Sequence, residues 1–241
     1  MIKNLFKSSI LIIFIVAVVL SVCFVMLKYN VEGEKNMPYS ISKILAVSTV
    51  DGQANEDAEN VWNIGVEQVN DIYIYLNKEV DKDITIKQIK IENFNLEQDS
   101  AKGTVQLLKP TGDLPNLYIY SNEDFFSEGL TYTGSSVDDL KSLEISNDGG
   151  VLGFRLALTD LGRFISNDIE EITYDGTLLS NLGVNIDELK FKVSFDIIIT
   201  TSEKVNFKGT VTLDLPIDGI IENGTSSKEI TDFSDVVFKR V

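Results

Sequence analysis

The chain has no histidine and only one cysteine, one tryptophan and four prolines among 241 residues. Without histidine there is no Ser-His-Asp triad, no Cys-His pair and no imidazole ligand for zinc or haem. The single thiol, Cys23, lies in an apolar run near the N-terminus. The rest of the chain therefore forms no disulfide and offers no thiolate nucleophile. Positive charge is scarce as well: 21 Lys and Arg face 37 Asp and Glu, a net charge of −16. Four of the lysines and only two of the acids precede Pro38, so the polar remainder is more acidic still. Such a surface repels nucleic acid, anionic headgroups and anionic polymers, and it argues against any nucleic-acid partner.

Long apolar runs are absent but for one. Ile10 to Leu27 is 18 residues without a charge, a proline or a glycine. A helix of that length rises about 27 Å, close to the ~30 Å hydrocarbon core of a bilayer. The run divides the chain into a short cytoplasmic tail (1–9), a signal anchor (10–28), a polar tether (29–37) and an extracytoplasmic domain (38–241). A boundary near 135–150 would split that domain in two. Lys3 and Lys7 beside the amino terminus outweigh Lys28 and Lys35, so the N-terminus is placed inside and the large domain outside. Lys3 and Lys7 also suit the n-region of a cleaved signal peptide, but the apolar run is longer than an ordinary h-region and no A-x-A-like site follows it. Leu20-Ser21-Val22-Cys23 resembles the lipobox of bacterial lipoproteins, with Val22 where that pattern has Gly, Ala or Ser. The resemblance covers four residues and implies acylation at Cys23. A disulfide-free exported domain with lysine far outnumbering arginine suits a bacterial cell envelope.

Beyond the tether the hydrophobic period is two. Ser40 to Val47 reads as a strand and Asp51 to Asn60 as an acidic loop. Trp62, Ile64 and Val66 alternate with polar or small residues, and Ile72, Ile74 and Leu76 alternate with Tyr73 and Tyr75. Ile84, Ile86, Ile89 and Ile91 carry a phase shift at Lys87-Gln88 that marks a bulge. Val105 and Leu107 run to a turn at Lys109-Pro110-Thr111-Gly112, and Leu117 and Ile119 alternate with Tyr118 and Tyr120. Ser136 to Asp139 offers capping chemistry for a helix over Leu140 and Leu143. Val151 to Leu158 reads as a buried strand, and Thr177 as the cap of a short helix ending at Gly183. The strongest signal is Leu189 to Ile199 followed by Val205 to Leu215, two period-two runs with the polar connection Thr201-Ser202-Glu203-Lys204 between them: an antiparallel hairpin. Val236 to Phe238 is a candidate final edge.

The expected fold is all-β: an antiparallel sandwich-like ectodomain with one or two short helices, behind a single N-terminal transmembrane helix. The chemistry left open is carboxylate pairs, Ser-Lys dyads and oxygen-ligand metal sites. The acidic stretches at Asn55-Glu56-Asp57, Asp81-Lys82-Asp83, Asn122-Glu123-Asp124 and Asn167-Asp168 lack calcium-loop spacing and read as solvated loops. No metal and no cofactor is expected. With the isoleucine face as core, Tyr73, Tyr75, Tyr118 and Tyr120 fall on the outer face of the sheet, where aromatic rings stack on sugars or anchor a protein. Cross-strand packing is the plainer use of the same rings. The expected function is a non-catalytic binding or structural module at the cell envelope, held to the membrane by residues 10–28 and meeting an envelope protein or glycan. An envelope hydrolase working through paired carboxylates, or a lipoprotein-like accessory subunit, are the alternatives.

Overall fold

A computed structural model describes residues 12–26, 37–79, 83–98, 102–110, 118–120, 129–137, 143–170 and 172–241. The apolar run supplies one helix, α1 (12–26). Its twelve large apolar side chains, from Ile12 to Met26, are all 46–68 % exposed, so no strand covers them. Among the described residues no helix is both long and apolar enough to cross a membrane.

From Tyr39 onward the chain is strands. They are β1 (Tyr39–Ala58), β2 (Val61–Lys78), β3 (Ile86–Gln98), β4 (Thr104–Pro110), β5 (Tyr118–Tyr120), β6 (Leu130–Gly134) and β7 (Leu143–Ile145). β8 (Gly149–Ser166), β9 (Phe191–Thr201), β10 (Asn206–Asp214), β11 (Thr225–Ile230) and β12 (Lys239–Arg240) follow. They form two six-stranded sheets, ordered β11-β1-β2-β8-β4-β5 and β12-β10-β9-β3-β6-β7. One continuous core lies between them, as period-two patterning with one buried face requires. Phe154 of the first sheet meets Phe94 and Phe195 of the second edge-on and near-edge-on, with ring centroids 5.5 and 5.3 Å away. Tyr132 crosses from β6 to the first sheet, where its hydroxyl donates to the Gly153 carbonyl and accepts the Gly153 N–H at 2.9 Å. Burial pushes that phenol up to about 12, although the bond with Gly153 pulls the other way.

The hairpin β9–β10 forms as its sequence expects, with nine residue pairs and the Phe191, Val193, Phe195, Ile197, Ile199 face buried. The bulge at Lys87-Gln88 is also present, as a register shift between Ile86 and Gln88 against β9. Several expectations are corrected. Asp51 to Ala58 is strand, not loop: it pairs with β2 down to Ala58↔Val61, and the reversal is only Glu59-Asn60, with Asn60 left-handed at φ 57°. Here ladder pairing to Trp62, Ile64 and Val66 outweighs local composition. β6 and β7 pair in parallel, so the second sheet is mixed. The final edge is Lys239–Arg240 rather than Val236 to Phe238; Phe238 instead turns inward and is buried.

A short helix α2 (Thr177–Leu182) does end at left-handed Gly183, φ 64°. Its start is not capped by Thr177, however. Gly176 holds the cap position, and the Asp175 carboxylate accepts the Thr177 N–H at 2.8 Å. Gly176 is there for space: a Cβ would sit 1.7 Å from the Ile221 carbonyl, where α2 meets α3 (Ile220–Asn223). The helix expected after Ser136 falls on residues 138–142, outside the described residues, and Leu143 itself belongs to β7. The tail 1–9, the tether up to residue 36 and the stretch Asn122-Glu123-Asp124 also lie outside them, as do Asp81 and Lys82.

Candidate functional site

Alternation sends Ile72, Ile74 and Leu76 of β2 into the core at 0–1 % exposure, and so turns Tyr73 and Tyr75 to the opposite face, half-buried. The register then assembles that face row by row. Lys43, Tyr75 and Val151 lie abreast on β1, β2 and β8, and Leu45, Tyr73 and Gly153 form the next row. The row beyond runs across five strands: Val47, Asp71, Arg155, Leu108 and Tyr120. Tyr118 occupies the position opposite Pro110 on β5, two residues from Tyr120 and therefore of the same parity. All four tyrosines singled out from the sequence thus take positions on one face of one sheet. β8 and β4 lie between β2 and β5, a separation of about 14 Å at ~4.8 Å per strand.

The surroundings make this face more than a strip of rings. The Lys43 ammonium sits 4.6 Å from the centre of the Tyr75 ring and 3.1 Å from the Glu229 carboxylate, so one side of Tyr75 is held by a cation. The Tyr73 ring lies against Gly153, where a Cβ would come within 3.5 Å of it. In the centre, Arg155 makes a two-pronged bond to Asp71, Nε to Oδ1 at 2.7 Å and Nη2 to Oδ2 at 2.9 Å. That fork fixes a planar donor–acceptor pair between the aromatic strands. Beyond it, Val69 and Ala157 are covered at 6 and 4 % exposure.

The far end of the face is acidic. Asp51 and Glu67 are directly opposite across β1 and β2, and Asp160, left-handed at φ 58°, stands nearby. Burial first, then Asp51 and Asp160, push the Glu67 carboxyl up from its ordinary value, while Arg155 pulls it down. A polar depression of about 240 Å³ lies there, lined by Glu67, Asp160, Arg163 and Gln106 among others. Among the described residues no group of three or more carboxylates or thiols is placed to hold a metal ion.

Asp71 and Arg155, which no sequence motif marks, join the face only through the register. A second polar set that sequence reasoning missed lies inside the sandwich. Ser48 Oγ donates to Asn70 Oδ1 at 2.6 Å, Gln68 Nε2 donates to the same oxygen at 2.8 Å, and Asn70 Nδ2 donates to the Leu156 carbonyl. All three side chains are 0 % exposed, and Gln68 Oε1 has no hydrogen-bond partner among the described residues. The signal for them was the break in apolar alternation between Val66 and Ile72.

The second sheet's outer face is polar and centred on Asp196. Burial pushes this carboxyl up, but Lys208 at 2.7 Å, Thr210 at 2.6 Å and Asn93 at 2.8 Å together hold it below its ordinary value. With its donors satisfied, Asp196 is a structural knot rather than a reactive group. No protein-family model, curated protein or solved structure matches the chain.

Proposed function

We propose that this protein is a membrane-anchored binding module that presents the tyrosine-bearing face of its first sheet to a glycan of the cell envelope. What supports the reading is register: Tyr73 and Tyr75 on β2, and the positions of Tyr118 and Tyr120 on β5, have one parity in one sheet, beside the Arg155–Asp71 fork. Aromatic faces stack on the apolar side of a sugar ring, and a fixed donor–acceptor pair between them answers its hydroxyls. The anchor is supported by the 18-residue uncharged run and by α1, whose apolar side chains have no protein cover and need an apolar surrounding. Lys3 and Lys7 with the amino group beside them, against Lys28 and Lys35, leave a slight excess of positive charge before the run, which supports a sandwich held outside the membrane.

Retention on purified cell-wall glycan tests the face directly. The full chain in detergent is expected to co-sediment with the wall. Tyr73→Ala combined with Tyr75→Ala is expected to lower the bound fraction at least fivefold, while both forms unfold within a few degrees of each other. Equal retention of parent and double variant would sink this reading of the tyrosines.

One observation favours a second reading, an envelope hydrolase. Glu67, with its carboxyl pushed up, faces Asp51 and Asp160 beside a polar depression, the kind of environment that separates an acid from a base. Its volume of about 240 Å³ is below the ~300–1,000 Å³ typical of ligand clefts, so the binding reading is preferred.

A further inference from the structure

A cavity lies away from the tyrosine face, at the open side of the sandwich between β11 and the segment that follows β10. It holds about 820 Å³. Phe191, Leu215 and Ile217 give it an apolar, buried floor at 4–6 % exposure, and Ser226 and Lys228 line it from β11.

β11 is an edge strand, paired with β1 alone. The parity of its hydrogen bonds is fixed by Val50, whose N–H donates to the Gly224 carbonyl at 2.8 Å. In an antiparallel ladder, residues alternate between those that bond to a given neighbour and those that turn both backbone groups away from it. Ser226, Lys228 and Ile230 therefore bond to β1. Thr225, Ser227 and Glu229 direct their N–H and C=O groups to the other side, where no described strand lies. Three donors and three acceptors thus stand in a row beside a cavity with an apolar floor.

The chain itself closes the other half of this open side. Its C-terminal segment lays Phe238 over Gly209 of β10, with the ring 3.0 Å from where a Cβ would be. Phe233 and Val236 line one pocket together with Met37, Tyr39 and Ile41. The half beside β11 has no described segment over it.

We propose that the free edge of β11 takes an extended peptide from another protein as an added strand, with alternate apolar side chains of that peptide filling the 820 Å³ cavity. The rim is mixed, Glu97, Asp214 and Asp218 standing with Lys190, Lys192 and Lys228. Lys190 and Lys192 are paired to Asp187 and Asp214, so Lys228, exposed and without an ion pair among the described residues, is the cation left to answer a carboxylate on the peptide. A second copy of this chain fits less well. A six-residue edge buries far less than the ~1,000 Å² that a stable interface needs, and each copy carries a net charge of −16. This site depends neither on the anchor nor on the tyrosine face.

The test uses the full chain in nanodiscs. The probe is a fluorescein-labelled seven-residue peptide of alternating valine and threonine with one central glutamate, followed by anisotropy. Saturable binding to the parent is expected. Ser227→Pro removes one outward N–H and no bond to β1, a substitution edge strands tolerate, and is expected to weaken binding at least tenfold. Lys228→Glu is expected to weaken it at least fivefold. If Ser227→Pro proves unstable to heat, Lys228→Glu decides. The proposal is overturned if the parent shows no saturable binding or if both variants bind like the parent. It is likewise overturned if the parent forms a dimer that Ser227→Pro dissociates, which would make the occupant a second copy.

Discussion

Truncating Phe154 to alanine is expected to lower the thermal midpoint by roughly 6–20 °C. Phe154 is 0 % exposed and is the ring of the first sheet that enters the aromatic cluster of the second. Phe94 and Phe195 are themselves 5.6 Å apart, so removal of the central ring leaves a void between two rings held by different strands. Buried Phe→Ala changes cost about 3–5 kcal/mol, through lost transfer energy and the cavity left behind. A domain of this size shifts by about 2–4 °C per kcal/mol. Val151→Ala serves as the control. Val151 lies on the outer face at 45 % exposure and is expected to move the midpoint by about 1–2 °C at most. A Phe154→Ala protein that melts within two degrees of the parent would contradict the two-sheet core.

Deleting residues 1–28 is expected to move the protein wholesale from the membrane pellet to the supernatant without loss of fold. Each of the twelve large apolar side chains of α1 is about half exposed or more. At roughly 1–2 kcal/mol for burying each, their transfer into hydrocarbon is worth on the order of 10–20 kcal/mol. That far exceeds any attraction of so acidic a domain to a membrane surface, which is repulsive if anything. The strands share one core to which α1 contributes nothing. The shortened chain should therefore melt within a few degrees of the full one. A full-length protein that stays in the supernatant, or a shortened one that aggregates unfolded, would break this account.

Much of the architecture was legible in the sequence because one face of each long strand is buried. Ile72, Ile74 and Leu76, and the run from Phe191 to Ile199, announce both the strand and the side that faces the core. Parity alone then turns Tyr73 and Tyr75 away from the core, half-buried on the opposite face. That Tyr118 and Tyr120 share their sheet was not legible, because it depends on β8 and β4 being inserted between β2 and β5. Pairing partners distant in sequence leave no local mark.

The failures have the same origin. Asp51 to Ala58 is polar enough to read as loop, yet β2 pairs with it as far as Ala58, with one register shift between Glu56 and Ala58. Gly176, not Thr177, holds the cap position of α2, where the Ile221 carbonyl leaves no room for a side chain. The polar row Ser48, Asn70 and Gln68 was hidden because a polar residue inside a strand reads as facing water unless its partners are known. The open edge of β11, with its Thr-Ser-Ser-Lys-Glu-Ile sequence, gives no apolar signal at all; only the ladder's parity shows which backbone groups are free.

The central claim is that an uncleaved N-terminal helix holds this sandwich outside the membrane. Protease treatment of intact cells carrying a C-terminally tagged chain, with whole-protein mass of the membrane fraction, tests it most directly. The account predicts that the tag is removed from outside and that the untreated membrane protein has the mass of the full chain. A tag protected on intact cells and cut only after lysis would contradict the topology. A mass lacking the residues before Cys23 and carrying acyl chains would instead make the anchor a lipid.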